Sequence, residues 1–265
     1  MTVLIAIPAR YASSRYPGKP LVPLTGATGQ ATTLIERSWR AAMQVPGVAQ
    51  VVVATDDARI ADHAAGFGAQ VAMTSSTHVN GTERCAQVLD QFPGHDIVVN
   101  LQGDAPLTPP WFVEDLIAGL RAAPQMQVAT PVLRTDAAAL SGFREDRRAG
   151  RVGGTTAVFG GDGRALYFSK EVIPYTGRDY APGQDTPVFH HVGVYAYRPA
   201  ALAAYVGWQP GRLEMLEGLE QLRFLENATP VLCVQVDARG RQFWELNNPA
   251  DVPRIEAMLV AMGLP

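Results

Sequence analysis

A chain of 265 residues with 47% hydrophobic and 18% charged side chains can bury a full core and carries no signature of disorder. Its formal charge of −3 excludes the broad basic field that captures nucleic acid, so any cations that hold phosphate must be local. The cysteines, Cys85 and Cys233, lie too far apart to suggest a disulfide framework or a zinc spacing. The chain then opens on Val3–Pro8, a short apolar run with no basic residue before it. It reads as the first buried strand of a parallel sheet rather than a signal segment.

Further strands are predicted at Gln50–Ala54, Gln70–Met73, Asp96–Leu101 and Val128–Val132. Between them, apolar residues at helical spacing predict helices over Leu34–Met43, Ala58–Phe67, Glu83–Gln91 and Trp111–Ala122. This alternation implies right-handed crossovers and a mostly parallel α/β sheet with helices on both faces. Ligands of such sheets sit beyond the carboxyl ends of the strands, here the loops after Pro8, Ala54 and Leu101. The second half is less regular and reads as a smaller mixed extension. Arg164–Lys170, His190–Tyr197 and Val231–Val236 are expected as strands, and Pro199–Val206, Glu214–Leu225 and Pro249–Met262 as helices. Thr176–Pro187, rich in Gly, Pro and Asp, is expected as a surface loop. No segment is long enough to span a bilayer, so cytoplasm is the expected location, with no membrane partner.

The loop directly after the first strand runs Pro8-Ala9-Arg10-Tyr11-Ala12-Ser13-Ser14-Arg15-Tyr16-Pro17-Gly18-Lys19-Pro20-Leu21. It combines three cations, hydroxyls and small residues. A triphosphate needs that mixture: backbone N–H groups and hydroxyls to wrap its oxygens, and fixed positive charge to offset what develops on a leaving pyrophosphate. Arginine grips phosphate in a fork and lysine acts as a point charge. Pro8, Ala9, Arg10, Ser14, Arg15 and Lys19 are therefore nucleotide-binding candidates. The same composition also fits a solvated basic loop, and neither the P-loop spacing nor the dinucleotide glycine turn is present.

Three other places carry chemistry. Asp104, just after the strand Asp96–Leu101, is either a Mg²⁺ ligand or the cap of a turn. Thr55 and Asp56 lie near the nucleotide, unless Asp56 or Asp57 simply caps the next helix. Gly81-Thr82-Glu83-Arg84 opens a helix whose N–H groups could meet a phosphate or base, with Thr82 or Asn80 as an ordinary N-cap in the plainer reading.

The run IPARYASSRYPGKPLVPLTG resembles the signature of 3-deoxy-manno-octulosonate (Kdo) cytidylyltransferases. So do VVVATDD at Val51–Asp57, GTER at Gly81–Arg84, VVNLQGDAP at Val98–Pro106, ALYFSK at Ala165–Lys170, HVGVYAYR at His191–Arg198 and WQPGRLEMLEGLEQLR at Trp208–Arg223. The resemblance covers nearly the whole chain, in order. It implies a Rossmann-like nucleotidyltransferase sheet in a single domain, with residues 1–135 taking the nucleotide and residues 136–265 taking the sugar and making a homodimer. It also implies transfer of CMP from CTP to the anomeric hydroxyl of Kdo, with Mg²⁺ and release of pyrophosphate. Carried over residue by residue, it makes Arg10, Lys19 and Asp104 catalytic. Gln102 and Arg84 join the nucleotide set, and Gln102, His191, Tyr195, Glu220 and Gln221 meet the sugar acid. A polyol with a carboxylate needs such donors and acceptors. In the plainer reading, His191 and Tyr195 share one face of a strand as half-buried sheet residues, and Glu214, Glu217 and Glu220 form a solvated helix face.

The sequence departs from the family pattern at Ala105, Thr156 and His190, and at Asn247, where the family has its second metal aspartate. Glu245 could supply the missing charge instead. These changes keep two further readings open: the same chemistry on an amino-octulosonate or a nonulosonate, and a non-catalytic homologue that binds nucleotide or sugar.

Overall fold

The computed structural model describes residues 1–12, 16–103, 106–152, 154–241, 246 and 248–265. In chain order the strands are β1 (Val3–Ala9), β2 (Pro23–Thr25), β3 (Ala31–Thr33), β4 (Gln50–Thr55), β5 (Gln70–Met73), β6 (Ile97–Leu101), β7 (Val128–Asp136), β8 (Thr155–Phe159), β9 (Ala165–Ser169), β10 (Asp185–His191), β11 (Val194–Tyr197) and β12 (Val231–Gln235). The helices are α1 (Leu34–Met43), α2 (Ala58–Gly66), α3 (Gly81–Gln91), α4 (Pro110–Ala122), α5 (Ala137–Arg148), α6 (Pro199–Gly207), α7 (Arg212–Glu217), α8 (Leu222–Glu226) and α9 (Val252–Ala261), with 3₁₀ turns at Lys19–Leu21 and Pro249–Asp251. The architecture is the expected α/β one. The chain resolves into two compact units, Met1–Glu114 with Ala238–Pro265, and Asp115–Asp237.

In the first unit the strands run parallel in the order β5-β4-β1-β6. β1 and β6 are nearly continuous apolar runs, buried almost throughout, as a parallel strand covered on both faces must be. The register pairs Val3 with Ile97 and Ala9 with Thr55, which brings the carboxyl ends of β1 and β4 level. The β2–β3 hairpin was not legible in sequence. It is held from behind by Leu24, Leu34, Leu107, Leu246, Ile255 and Leu259, which form one buried cluster under α9. The buried Arg37 donates to the carbonyls of Leu24 (2.6 Å), Thr32 (3.3 Å) and Pro265, tying the C-terminus to this hairpin. Arg239 and Arg241 each lie 4.7 Å from the ring centroid of Trp111.

In the second unit β7 pairs antiparallel with β10 and β11 and parallel with β12, and β8 joins β10 to β9. Two expectations need correction here. His190–Tyr197 is not one strand. Pairing moves from His191 opposite Val132 to Ala196 opposite Ala129, so five residues on one strand oppose three on β7. The extra residues form a bulge closed by the Val194 amide donating to the Val192 carbonyl at 2.7 Å. Glu214–Leu225 is not one helix either. Gly218 adopts φ 62° and ends α7, a left-handed cap that glycine reaches without steric cost. Sequence patterning also missed α5 and β8, and β10 begins inside the stretch expected to be loop.

Candidate active site

In the first unit the nucleotide-binding candidates lie at the carboxyl ends of β1, β4 and β6. Pro8 and the buried Ala9 end β1, and the exposed Arg10 follows. The loop after them closes where the Gly18 amide donates to the Tyr11 carbonyl at 2.9 Å. Gly18 has φ 71°, and a Cβ there would meet the Tyr11 ring at 3.1 Å, so glycine is required on both counts. Lys19 then starts the 3₁₀ turn. Ser14 and Arg15 lie outside the described residues.

The β4–α2 connection braces this loop from the side. Asp57 caps α2 by accepting from the Arg59 amide (2.9 Å), and its two oxygens hold the Arg59 guanidinium at 2.9 and 2.6 Å. That guanidinium sits 3.4 Å from the Tyr11 ring centroid. Asp57 is thus the cap that sequence allowed, and through Arg59 it also holds Tyr11 of the loop after β1.

Asp56 instead faces Arg84, with 3.7 Å between Oδ1 and Nη2. Arg84 is 3% exposed and also donates to the Thr74 hydroxyl. Burial lowers its pKa, Asp56 opposes that shift, and Arg10 adds to it, so the Arg10 charge acts directly on Arg84. Two cations whose charges repel one another are suited to sharing an anion. Asn80, not Thr82, caps α3, accepting from the Glu83 amide at 2.9 Å. Thr55 and Thr82 are fully buried.

Behind Gly81 stands Asn100 on β6, fully buried, with no hydrogen-bond partner among the described residues for either Oδ1 or Nδ2. A Cβ on Gly81 would fall 2.7 Å from Nδ2. One residue past Gln102, a Cβ on Gly103 would meet the Pro8 carbonyl at 2.9 Å. The chain leaving β6 therefore runs against the end of β1. Asp104 and Ala105 follow in sequence and lie outside the described residues, as do Glu245 and Asn247. Among the described residues no group of three His, Cys, Asp or Glu side chains is arranged to hold a metal ion.

In the second unit the sugar-binding candidates His191, Tyr195 and Gln221 lie together. His191 ends β10 and Tyr195 lies on β11, so the bulge, not strand alternation, brings their rings to 5.6 Å. The Thr130 hydroxyl lies 2.9 Å from His191 Nε2 and also 2.9 Å from the Val194 carbonyl. A hydroxyl has one hydrogen to give; if it goes to that carbonyl, His191 donates from Nε2 and accepts at Nδ1 from Thr155, 3.1 Å away. Burial, reinforced by His190, pushes the His191 pKa down to about 3, so the ring is neutral. Tyr195 donates to Gln221 Oε1 at 3.0 Å, while the buried Gln221 Nε2 has no acceptor among the described residues.

The glutamates of the helical stretch are not a solvated face. Glu214 is buried and takes two 2.7 Å hydrogen bonds from the fully buried Arg223. Glu217 accepts from the Ser169 hydroxyl (2.7 Å) and the Lys170 amide (2.8 Å). Glu217 and Glu220 stay partly exposed.

A cytidylyltransferase family profile matches residues 4–231. The chain belongs to the cytidylyltransferase family. It is 44% identical over 264 residues to the 3-deoxy-manno-octulosonate cytidylyltransferase of Maricaulis maris, covering 99% of each chain. It is 38% identical to the Chlamydia pneumoniae enzyme of the same name, covering 97% of this chain and 93% of that one. A solved CMP:2-keto-3-deoxy-manno-octonic acid synthetase complexed with CTP superposes with a TM-score of 0.84 at 34% identity, covering all of both chains. A Leptospira borgpetersenii cytidylyltransferase, 17% identical with a TM-score of 0.55, shares the fold.

In this cytidylyltransferase two of the departures from the family pattern, Thr156 and His190, have local explanations. Thr156 is fully buried, donating to the Glu171 carbonyl (2.7 Å) and accepting from the Ile173 amide (3.2 Å), which ties β8 to the segment after β9. His190 packs edge-on against Phe143, and burial, with Arg147 nearby, lowers its pKa to about 4. Sequence reasoning passed over Lys170, whose Nζ lies 2.8 Å from where a Cβ on Gly218 would sit. Its signal was present in the ALYFSK segment. Asn100 was likewise visible only as one more residue of a buried strand.

Proposed function

We propose that this cytidylyltransferase moves CMP from CTP to the anomeric hydroxyl of 3-deoxy-manno-octulosonate, releasing pyrophosphate. The relatives that match it end to end and the CTP complex that superposes on it support the reading. The observation that carries it is the buried Gln221 amide. Its Nε2 hydrogens lack an acceptor while Tyr195 holds its Oε1, and a sugar hydroxyl or carboxylate would satisfy them. Lys170, with its Nζ over Gly218, is the cation suited to the sugar carboxylate.

The sugar hydroxyl attacks the α-phosphorus. The bond to the β-phosphate oxygen breaks, and pyrophosphate leaves with the charge that Arg10, Arg15 and Lys19 offset. Arg84, pinned by Thr74 and Asp56, adds a donor that needs no reorganisation. His190 and His191 are poor bases at neutral pH, with pKa values near 4 and 3. Mg²⁺ needs only one or two carboxylates beside phosphate oxygens and water, so Asp104 would hold it together with the triphosphate, and the lack of a larger cluster among the described residues is no obstacle. When bound, the ion would acidify the sugar hydroxyl and template the phosphates.

A second copy of the chain is the proposed partner. The short helix α7 turns the charged Glu214 inward and leaves Leu213, Met215 and Leu216 exposed, the reverse of a free surface helix. Sedimentation equilibrium should give a dimer, weakened in Leu216→Glu.

The deciding assay is pyrophosphate release from CTP over a panel of 3-deoxy ulosonic acids, with UTP as control. The expected result is fastest release with Kdo and CTP. Fastest release with an amino-octulosonate or nonulosonate reassigns the sugar, and no release with any acid overturns the reading.

A further inference from the structure

Helix α5 carries Arg144, Arg147 and Arg148 at positions i, i+3 and i+4, so all three side chains fall on one face. That face lines a cavity of about 260 Å³, whose other walls are Glu171, Val172, Pro174, Tyr175 and Thr176. None of these belongs to the phosphate loop or to the Tyr195–Gln221 pair. Three guanidiniums stand against Glu171 in the lining, and Asp179 pairs with Arg144 beside it, so the cavity is net positive.

Each arginine is held differently. Arg144 is anchored, donating to the Thr176 hydroxyl, to the Arg178 carbonyl at 3.1 Å and to Asp179 at 3.1 Å. Arg147 reaches inward to the carbonyls of Gly154 and Arg151, and its Nε is buried with no acceptor among the described residues. Burial lowers its pKa even though Glu171 and Asp146 oppose the shift. Arg148 is exposed, and its guanidinium has no partner among the described residues. The helix dipole accounts for cations in a last turn, but it does not account for an arginine drawn inward with an N–H left unpaired. Like charges at i and i+4 also destabilise a helix unless an anion joins them.

We propose that this cavity binds a phosphate-bearing small molecule. A phosphomonoester or terminal phosphate carries close to two negative charges at neutral pH and three acceptor oxygens, so it gains more from several guanidiniums than a carboxylate with one charge does. Guanidinium forks suit phosphate oxygens. The cavity has the room of roughly eight waters at about 30 Å³ each, more than a lone phosphate fills. Tyr175, with its ring over Gly177 and 92% of its surface exposed, leaves one flat face at the rim for the rest of the molecule.

Pyrophosphate, inorganic phosphate and CMP are the probes. Each is titrated calorimetrically into wild type, Arg148→Glu and Lys19→Ala, with melting curves to establish that all three fold. Arg148 is exposed, so its replacement leaves the fold intact. Two classes of pyrophosphate site are expected in wild type. Arg148→Glu should lose one by about tenfold or more, the effect of one lost charge-assisted contact, and Lys19→Ala should weaken only the other. Tighter binding of CMP than of phosphate through the Arg148-dependent site would identify the occupant as a nucleotide; the reverse order would identify it as a free phosphate. A titration of Arg148→Glu that matches wild type for every probe overturns the proposal, and it does so independently of whether Lys19 binds the triphosphate.

Discussion

The Tyr195 hydroxyl donates to Oε1 of Gln221 at 3.0 Å, and this orients an amide whose other end is buried and unpaired. Tyr195→Phe should therefore disturb sugar binding before anything else. With its acceptor released, Gln221 is free to rotate, and the KM for the sugar acid should rise about tenfold, the cost of one buried hydrogen bond. The KM for CTP should stay within a factor of two or so of wild type. Steady-state kinetics with each substrate varied in turn provides the check, and an unchanged sugar KM would mean that Gln221 does not face the substrate.

Lys19→Ala should cut turnover by about 10²–10³, the usual cost of one preorganised electrostatic contact, without changing the melting temperature. Lys19 lies in a short turn and its side chain is not part of the core. Near-normal turnover would reduce it to a solvated loop residue.

Gly81→Ala should destabilise the fold by about 1–3 kcal/mol, because the new Cβ arrives 2.7 Å from Nδ2 of the immobile Asn100. Replacing both residues with alanine should recover part of that loss. A double-mutant cycle by urea denaturation measures the coupling, and additivity within about 0.5 kcal/mol would show that the two do not touch.

Acid should unfold the protein partly through two histidines. His190 and His191 have folded pKa values of about 4 and 3, below the ordinary 6.5. Between pH 6.5 and 4 the unfolded chain binds protons there that the folded chain does not. Stability is therefore intact above pH 6.5 and falls as pH drops through that window. Each pKa unit is worth about 1.36 kcal/mol, so the two rings account for several kcal/mol. Urea midpoints at pH 7 and pH 5 should differ less in His190→Gln than in wild type. An equal difference would mean that His190 is not neutral in the fold.

Asn247→Asp should lower the Mg²⁺ concentration that gives half-maximal rate, since an aspartate offers a charged oxygen where asparagine offers a neutral one. A collapse of activity in Glu245→Gln would identify Glu245 as the replacement ligand. A midpoint unmoved in Asn247→Asp would place position 247 away from the metal.

Much of the first unit was legible in the chain itself. The β-branched runs of β1, β4 and β6 and the helical spacing of α1, α2 and α3 are local patterns, and Leu34–Met43 emerged with the bounds that patterning predicted. The basic composition of the loop after β1 was legible too, because its cations, hydroxyls and Gly18 stand within one short segment. What depended on distant residues was not. Nothing near His191 announces that Thr130 and Thr155 would hold both ring nitrogens, or that a two-residue bulge would bring Tyr195 beside it. Glutamates three apart look solvated until Arg223 buries one and β9 captures another. A repeat in the sequence reports which face of an element is apolar. It cannot report which buried polar group lacks a partner, because that depends on what the folded chain brings against it. Asn100, Gln221 and Arg147 were therefore decided by the tertiary structure alone.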